Sequence, residues 1–272
     1  FNTITVSKFW NVDAIRETEM HRIHAYPAKF PSLVVKKSIE YAKKNGVEIN
    51  KLADVFCGCG TTALEAKRHN IDFWGCDINP VATLITRAKS EQYDTEVLNK
   101  YYLSITSDLL NEDRDVMNEF VDHERISYWF HDSQINKVNL LLNSILSNIP
   151  NGKYQDFFLT AFSNILKRTS KWLTKSIKPQ IDPEKAHCEV ETAFKQQIDF
   201  MIGANLKSVS DFSSSSSVEI DTGNFLQMEF PEPFVDMVVT SPPYVTSYEY
   251  ADLHQLSSLW LGYTDDYRTL RD

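Results

Sequence analysis

The segment 51–80 restricts the possible folds of this chain more than any other part of its sequence. An apolar stretch runs into a glycine turn in KLADVFCGCGTT, a helical pattern follows in ALEAKRHN, and a second apolar stretch follows in IDFWGCDINP. A strand, a tight turn, a helix and another strand in this order are typical of a parallel sheet covered by helices on both faces. The sequence therefore predicts an α/β fold with a doubly wound, parallel-rich sheet.

Two later stretches, SVEID and FVDMVVT, have the same strand character, so that the predicted strands are 52–57, 72–77, 217–221 and 235–240. The region from 91 to 210 is instead helical, with long amphipathic segments such as NKVNLLLNSILSNI. We predict three parts: a first α/β half at 1–90, a large helical insertion at 91–211, and a second α/β half at 212–272. A helix is also expected from Ser32, which can cap its start, to a stop at Gly46.

The composition is that of an ordinary globular protein, with 42% hydrophobic and 24% charged residues. No apolar run approaches the roughly 20 residues that cross a bilayer, and no signal-peptide pattern opens the chain. The four cysteines are too few for a disulfide framework at this length. We therefore expect a cytoplasmic protein in a reducing compartment, without membrane contact.

The formal net charge of −9 argues against a protein coated in nucleic acid, but not against a local basic surface. The segment KRTSKWLTKSIK contains no acidic residue and five basic ones, Lys167, Arg168, Lys171, Lys175 and Lys178. A nucleic-acid-binding surface and a solvated helix face are both open interpretations of this segment.

The glycine turn and the end of the second predicted strand together indicate a nucleotide site. Gly58 and Gly60 directly follow the first strand, where glycine lets the backbone turn sharply and approach a ligand. The helix after the turn offers free N–H groups. Asp77 ends the second strand, and an acid at that place commonly binds ribose hydroxyls. These features predict an adenosine-binding site.

Three cysteines near this turn, Cys57, Cys59 and Cys76, raise the alternative of a metal site. They lack the CxxC spacing of zinc ligands, and His69 is the one histidine close to them in the sequence. We therefore expect small core residues in a tight turn, and no metal.

The fourth predicted strand ends in the tetrad SPPY. Proline cannot donate to a sheet ladder, so Pro242 and Pro243 are expected beyond the carboxyl end of the strand. Open α/β sheets bind their ligands at that edge. We therefore expect the tetrad to face a ligand.

Three motifs together, DVFCGCGTT, GCDINP and TSPPY, resemble those of the S-adenosylmethionine-dependent DNA amino-methyltransferases. HAYPAKFP resembles the element upstream of the glycine turn in members with this motif order, and SYEYADLHQLSSLWLG resembles a sub-group of bacterial modification enzymes. The resemblance covers about 21–90 and 218–263. It implies a Rossmann-like class I methyltransferase fold, S-adenosyl-L-methionine as cofactor, double-stranded DNA as partner, and a place in restriction–modification.

The resemblance also implies roles for individual residues. The turn and the upstream element hold the methionine part of the cofactor, Asp77 binds its ribose, and Asn224 replaces the aspartate that many members place near the adenine. Val55 and Cys59 are further departures from the common pattern. The implied cofactor-binding residues are His24, Tyr26, Pro27, Lys29, Phe30, Asp54, Phe56, Gly58, Gly60, Thr61, Thr62, Asp77, Ile78, Asn79 and Asn224.

The tetrad Ser241, Pro242, Pro243 and Tyr244 is the implied catalytic loop. Two fixed acceptors, the Ser241 side chain and the Pro242 carbonyl, favour a pyramidal amino nitrogen whose lone pair can attack the sulfonium methyl. Stacking of a flipped base on Tyr244 contributes about 1–3 kcal/mol, which is comparable with the few kcal/mol needed to extrude the base.

Serine at the head of the tetrad is, by this resemblance, more typical of cytosine-N4 than of adenine-N6 methylation, so the sequence favours cytosine. Guanine-N2 methylation of RNA and a non-catalytic subunit of a split modification enzyme are the alternatives.

The four predicted strands are fewer than the strands of the methyltransferase fold that the resemblance implies. After SPPY the sequence indicates helix and loop, which would leave the apolar strand 235–240 as an unprotected edge. We therefore expect the rest of the sheet outside these 272 residues, in a C-terminal segment or a second polypeptide.

Overall fold

Four parallel strands form the sheet, in a computed structural model that describes residues 8–10, 17–111, 120, 122–176, 178–186, 188–209, 212, 215–229, 234–243 and 250–271. They are β1 (Lys51–Asp54), β2 (Asp72–Asp77), β3 (Val218–Thr222) and β4 (Met237–Val238). Their order is β3-β2-β1-β4, with Leu52 of β1 opposite Phe73 of β2 and Met237 of β4. The predicted α/β fold with a parallel sheet is confirmed.

The central strands are apolar on both faces because both faces are covered. Leu52 and Phe73 pack in one cluster with residues of the first two helices, whereas Ala53 and Trp74 pack in another cluster on the opposite face. Two strands are shorter than predicted. β1 stops at Asp54 because the next residues form the glycine turn, and β4 pairs with β1 only over Met237–Val238.

The described part of the chain contains nine α-helices, of which the second and the third contact the strands. None of these helices combines the length and the apolar character that a membrane crossing requires. Their bounds are α1 (Ser32–Lys44), α2 (Thr61–Arg68), α3 (Pro80–Ser90), α4 (Thr95–Leu109), α5 (Glu124–Trp129), α6 (Asp132–Asn148), α7 (Lys153–Thr169), α8 (Val190–Ser208) and α9 (Tyr250–Trp260).

The start of α1 differs from the prediction. Ser32 does not cap the helix; it is the first helical residue, and Pro31 occupies the cap position with an extended backbone at φ −68° and ψ 125°. The fixed φ of proline suits the residue at which a chain enters a helix. The predicted stop is confirmed, since α1 ends at Lys44 and Gly46 has φ +82°.

The predicted helical insertion is present as α4 to α8, which lie between α3 and β3 in the chain. α7 packs against both α8 and α3, so the insertion rests on the α/β part through α3. One apolar cluster includes Ile23, Phe158 of α7 and Trp260 of α9. The division at 90/91 and 211/212 stays a prediction.

Candidate functional site

A cleft lies at the carboxyl ends of the strands, the edge where open parallel sheets bind ligands. Most of the predicted cofactor-binding residues line it: Tyr26, Lys29, Phe30, Asp54, Phe56, Gly58, Thr61, Asp77, Ile78, Asn79 and Asn224. Ser241 and Pro243 of the tetrad line the same cleft. Within the described residues, the lining does not include His24, Pro27, Gly60, Thr62 or Pro242. Tyr244 lies outside the described residues.

The glycine turn connects β1 to α2 and requires glycine at two positions. Gly58 and Gly60 have φ of +49° and +74°, in the left-handed region that favours glycine. A Cβ on Gly60 would lie 2.8 Å from Cγ2 of Thr86 and 2.9 Å from its Cα. The turn is therefore packed tightly against α3.

Two side chains of α3 bind the carbonyl groups of this turn. The Thr86 hydroxyl donates a 2.9 Å hydrogen bond to the Gly58 carbonyl, and the ammonium of Lys89 donates to the Cys59 carbonyl. Lys89 is fully buried, and burial lowers the pKa of its ammonium group. α3 thereby fixes the peptide planes of the turn from behind the cleft.

Asp77 joins the end of β2 to the turn. Its Oδ2 accepts a 2.9 Å hydrogen bond from the Gly58 N–H, and its Oδ1 accepts one of 2.9 Å from the Asn79 N–H. Burial raises the pKa of the Asp77 carboxyl above its ordinary value of 3.8. Each oxygen keeps a second lone pair, so the carboxylate can still accept hydrogen bonds from a ligand.

Asp54, at the end of β1, is buried and accepts three hydrogen bonds. Thr240 donates to its Oδ1 at 2.6 Å, the Phe56 N–H donates to the same oxygen at 3.1 Å, and Thr62 donates to Oδ2 at 2.7 Å. Burial raises the pKa of the Asp54 carboxyl. Thr62 therefore lies behind the cleft wall and supports it through Asp54.

The segment before α1 supplies Tyr26, Lys29 and Phe30, and the helical insertion holds it in place. The Ala25 N–H donates to Asn164 of α7 at 2.8 Å, and the side chain of Gln197 in α8 donates to the Ile23 carbonyl at 2.7 Å. The ring of Tyr26 stacks on His254 of α9 at a centroid distance of 4.8 Å.

His24 does not line the cleft; it is buried against α7 instead. Its Nε2 lies 3.0 Å from the Ser163 hydroxyl, which lies 2.7 Å from the Ser257 hydroxyl of α9. Burial, together with the nearby charges of Lys167 and Lys89, lowers the pKa of His24 to about 3. Its role in the structure is to join the segment before α1 (residues 23–30, the entry segment) to α7 and α9.

Asn224 lies in the turn after β3, where its Oδ1 accepts a 3.0 Å hydrogen bond from the Leu226 N–H. The amide NH₂ of Asn224 is the part of this side chain that can still donate to a ligand. Gly223, beside it, donates its N–H to the Asp77 carbonyl at 2.9 Å, which holds this turn against β2.

The basic segment is not one helix face, because α7 ends at Thr169. Arg168, Lys175 and Lys178 are exposed, whereas Lys167 and Lys171 are half-buried. Lys167 lies 4.6 Å from the ring centroid of Trp172, and burial lowers its pKa to about 8. The segment is therefore not a single helix face, and its role in binding nucleic acid stays a prediction.

The three cysteines near the turn are buried free thiols. In the described part of the chain, no group of three or more His, Cys, Asp or Glu residues could hold a metal ion. Burial raises the pKa of Cys57 well above its ordinary value and that of Cys76 to about 12, so both are neutral thiols of the core.

Sequence reasoning missed several residues of the cleft and its support. The missed lining residues are Ala28, Val55, Cys57, Cys59, Gly223, Phe225 and Ala251. Most of them are adjacent in the sequence to predicted residues, and this adjacency was the signal that could have identified them. Thr240, which stands in the motif TSPPY, was missed as a supporting residue. Thr86 and Lys89 were also missed, and no motif marks them.

Comparison with known proteins gives one family and three relatives. A family model described as DNA methylase, of the N6/N4 type, matches residues 2–87. The chain is 28% identical over 270 residues to the Type II methyltransferase M.MvaI of Kocuria varians, covering 92% of the chain and 59% of that protein. It is 24% identical over 290 residues to the Type II methyltransferase M.BsoBI of Geobacillus stearothermophilus, covering 94% and 55%.

A shorter match reaches the Type II methyltransferase M.MjaII of Methanocaldococcus jannaschii, with 30% identity over 125 residues, 46% of the chain and 22% of that protein. The chain thus spans little more than half the length of the relatives that it matches from end to end. These comparisons confirm the predicted resemblance to DNA amino-methyltransferases of the restriction–modification type.

Proposed function

We propose that this chain transfers a methyl group from S-adenosyl-L-methionine to the exocyclic amine of a flipped base in double-stranded DNA. The observation that carries the proposal is that the glycine turn, Asp77, Asn224 and Ser241 line one cleft. The methyl donor and the acceptor loop would then meet at one edge of the sheet. The shared description of the relatives as Type II methyltransferases supports the reaction class.

The cleft has groups that fit S-adenosyl-L-methionine. The Thr61 hydroxyl is buried at the cleft wall and has no hydrogen-bond partner among the described residues. α2 begins at Thr61 without a side-chain cap, so N–H groups of its first turn suit the methionine carboxylate. The Asp77 carboxylate suits the ribose hydroxyls, and the Asn224 amide suits the adenine. When bound, the cofactor supplies an electrophilic methyl group on a sulfonium.

On the acceptor side, the Ser241 hydroxyl and the Pro242 carbonyl are the proposed acceptors of the two amino hydrogens. The hydrogen bond from Thr240 to Asp54 supports this assignment, because it fixes the residue immediately before Ser241. Acceptors that are already in position need no reorganisation during the reaction. Tyr244 is the proposed stacking surface for the flipped base.

Cytosine N4 is the proposed acceptor, because Ser241 heads the tetrad. Adenine N6 is the second candidate. Guanine N2 of RNA and a non-catalytic subunit that binds cofactor without transfer are the remaining alternatives.

The test is transfer of label from radiolabelled S-adenosylmethionine to duplex DNA, followed by digestion to nucleosides. Label in N4-methylcytosine is the expected result, and label in N6-methyladenine would change the base but keep the mechanism. Ser241→Ala should abolish transfer and leave cofactor affinity nearly unchanged, whereas Ser147→Ala, at an exposed position of α6, should transfer normally. Label in RNA alone, or cofactor binding without any transfer, would support the corresponding alternative.

We also propose that strands from outside these 272 residues extend the sheet beyond β4. In the described residues β4 pairs with β1 alone, and Val238 is 52% exposed. An exposed apolar edge strand promotes aggregation, and natural proteins usually cover such an edge. The greater length of the relatives supports a source in the same polypeptide, and a second polypeptide is the alternative.

The proposed nucleic-acid-binding residues are Lys167, Arg168, Lys171 and Lys175. None of them forms an ion pair within the described residues, so their charges remain available to phosphates.

A further inference from the structure

Two stacked indole rings connect the basic segment to α5. Trp129 of α5 and Trp172 stack at a centroid distance of 4.7 Å and an angle of 27°, and both are buried. Lys167 lies over the Trp172 ring at 4.6 Å, and the guanidinium of Arg125 lies over the Trp129 ring at 5.4 Å. The indole pair therefore separates two cations that come from different helices.

Arg125 is held by neutral groups. Its Nε donates a 2.8 Å hydrogen bond to Oε1 of Gln255, which also accepts a 2.9 Å bond from the Trp129 indole. The rings of Tyr128 and Tyr267 lie 5.0 and 5.3 Å from its guanidinium carbon. Aromatic faces and one amide fix the guanidinium without neutralising it.

The cations of this cluster lack carboxylate partners. Among the described residues, no carboxylate lies within ion-pair distance of Arg125, Lys167 or Lys171. Other arginines differ, since Arg68, Arg87 and Arg268 contact carboxylates at 3.0, 2.8 and 2.7 Å. In a chain of net charge −9, cations that are partly buried and have no carboxylate partner among the described residues suit an anion from outside the protein.

Lys171 extends the same cluster. Its ammonium donates a 3.1 Å hydrogen bond to the carbonyl of Ser127 in α5. Burial lowers the pKa of Lys171, and the nearby charge of Asp132 opposes this shift. Burial without a counterion also explains why the pKa of Lys167 falls to about 8, and a bound anion would raise it again.

The cluster is continuous with the cleft through α9. Gln255, which binds Arg125, lies four positions after Ala251, which lines the cleft, and residues at this spacing share one face of a helix. His254, between them, stacks on Tyr26 of the cleft wall. α9 therefore connects the cluster to the wall of the cleft.

We infer that Arg125, with Lys167 and Lys171, binds phosphate groups of the DNA whose target base enters the cleft. The inference rests on the proposed function and adds α5 to the DNA-binding surface. A guanidinium fixed by its Nε can offer its two terminal NH₂ groups to a phosphate, and such contacts are strong and directional.

The test measures the binding of a fluorescently labelled DNA duplex at several salt concentrations, with S-adenosylmethionine present. Each lost phosphate contact should reduce the slope of log K against log salt by about 0.9. We expect that loss for Arg125→Gln and for Lys167→Met, which keeps the apolar stem over Trp172. Lys195→Gln is the control, since Lys195 is exposed on α8 and paired with Asp199.

A normally folded Arg125→Gln variant with an unchanged slope and affinity would overturn the inference. If the Arg125→Gln variant melts at a lower temperature, the salt dependence of DNA binding by Lys167→Met and Lys171→Gln becomes the test of the inference. Neither of these lysines contacts Gln255 in the structure. Absence of duplex binding by the unmodified protein, with the cofactor bound, would count against the proposed function itself. Binding with unchanged slopes in all three variants would count against this cluster alone.

Discussion

The hydroxyl of Thr240 donates a 2.6 Å hydrogen bond to Oδ1 of Asp54. Thr240 immediately precedes Ser241, and Asp54 is the last residue of β1 before the glycine turn. The other carboxylate oxygen accepts from Thr62 in the first turn of α2. One buried carboxylate thus connects the tetrad to the turn.

Thr240→Val should lower transfer strongly while the protein stays folded. The change keeps the side-chain shape but removes the O–H donor, and a hydrogen bond to a charged group contributes about 1.5–3 kcal/mol. Urea unfolding and the transfer assay together measure the two effects. Thr106→Val, which removes a 2.7 Å bond to the Tyr102 carbonyl on α4, should leave transfer unchanged. Equal activity in the two variants would contradict the proposed alignment of Ser241.

Cofactor affinity should fall on acidification, beginning above the ordinary titration range of a carboxyl group. The ionised Asp77 carboxylate accepts the ribose hydroxyls, and burial raises its pKa above 3.8, so protonation removes an acceptor as the pH falls. Calorimetric titration with S-adenosylmethionine between pH 8 and pH 4 measures this change. Asp77→Asn should bind weakly with little dependence on pH. An equally steep pH dependence in that variant would assign the effect to another group.

Gly60→Ala should destabilise the protein more than Gly262→Ala. Both glycines have positive φ, +74° and +67°, so an alanine costs about 1–2 kcal/mol of conformational strain at either position. Only at Gly60 would the new Cβ also meet Thr86, at 2.8 Å, whereas nothing lies within 4 Å at Gly262. Overpacking should add about 1–3 kcal/mol. Equal free energies of unfolding for the two variants would show that α3 moves far enough to accommodate the new Cβ without an energetic cost.

His24 should make the folded state sensitive to acid. Its pKa is about 3 in the folded protein and ordinarily 6.5, so the unfolded chain takes up a proton that the folded chain does not. This contribution to stability is present above pH 6.5 and is lost as the pH falls toward 3, by up to about 1.4 kcal/mol per pH unit. His24→Gln should flatten the dependence of the unfolding free energy on pH. Ser147→Ala, a change without a titratable group at an exposed position of α6, should keep the pH dependence of the unmodified protein.

Val238→Lys should reduce self-association of the 272-residue chain. Val238 is 52% exposed on β4, and a charge on an edge strand prevents pairing with another edge. Sedimentation at several concentrations measures the effect. Leu226→Lys is the matched control, since Leu226 is 86% exposed but lies in a turn. If the unmodified chain is monomeric at all concentrations, the edge needs no cover and the proposed sheet extension fails.

The strands and the glycine turn could be predicted because their signals are local. An apolar run such as 72–77 must be buried on both faces, and glycines directly after a strand indicate a turn. The same reasoning predicted that Asp77 lies at the carboxyl ends of the strands, where the structure has it. The length of β4 could not be predicted, because it depends on pairing with β1.

The support of the site was not predictable, because it depends on contacts between distant segments. Thr86 and Lys89 bind the turn through carbonyl groups, which every residue has, so no motif marks them. His24 stands in a motif-like segment, yet packing turns it toward Ser163. Arg125 has its proposed role only because Gln255, far away in the sequence, binds its guanidinium, and because Trp172 stacks on the Trp129 ring that Arg125 covers.

The attachment of the entry segment to the helical insertion has a thermodynamic consequence. Ala25 and Ile23 are bonded to α7 and α8, and the adjacent Tyr26 forms part of the cleft wall. A ligand that displaced α7 would therefore also displace this segment, and with it change the free energy of binding in the cleft. Such coupling is reciprocal, so the factor by which occupancy of the cleft changes affinity at α7 equals the factor in the opposite direction. The total free energy of binding both ligands, one in the cleft and one at α7, is then the same whichever binds first. The order of binding affects only the rate at which the doubly bound protein forms.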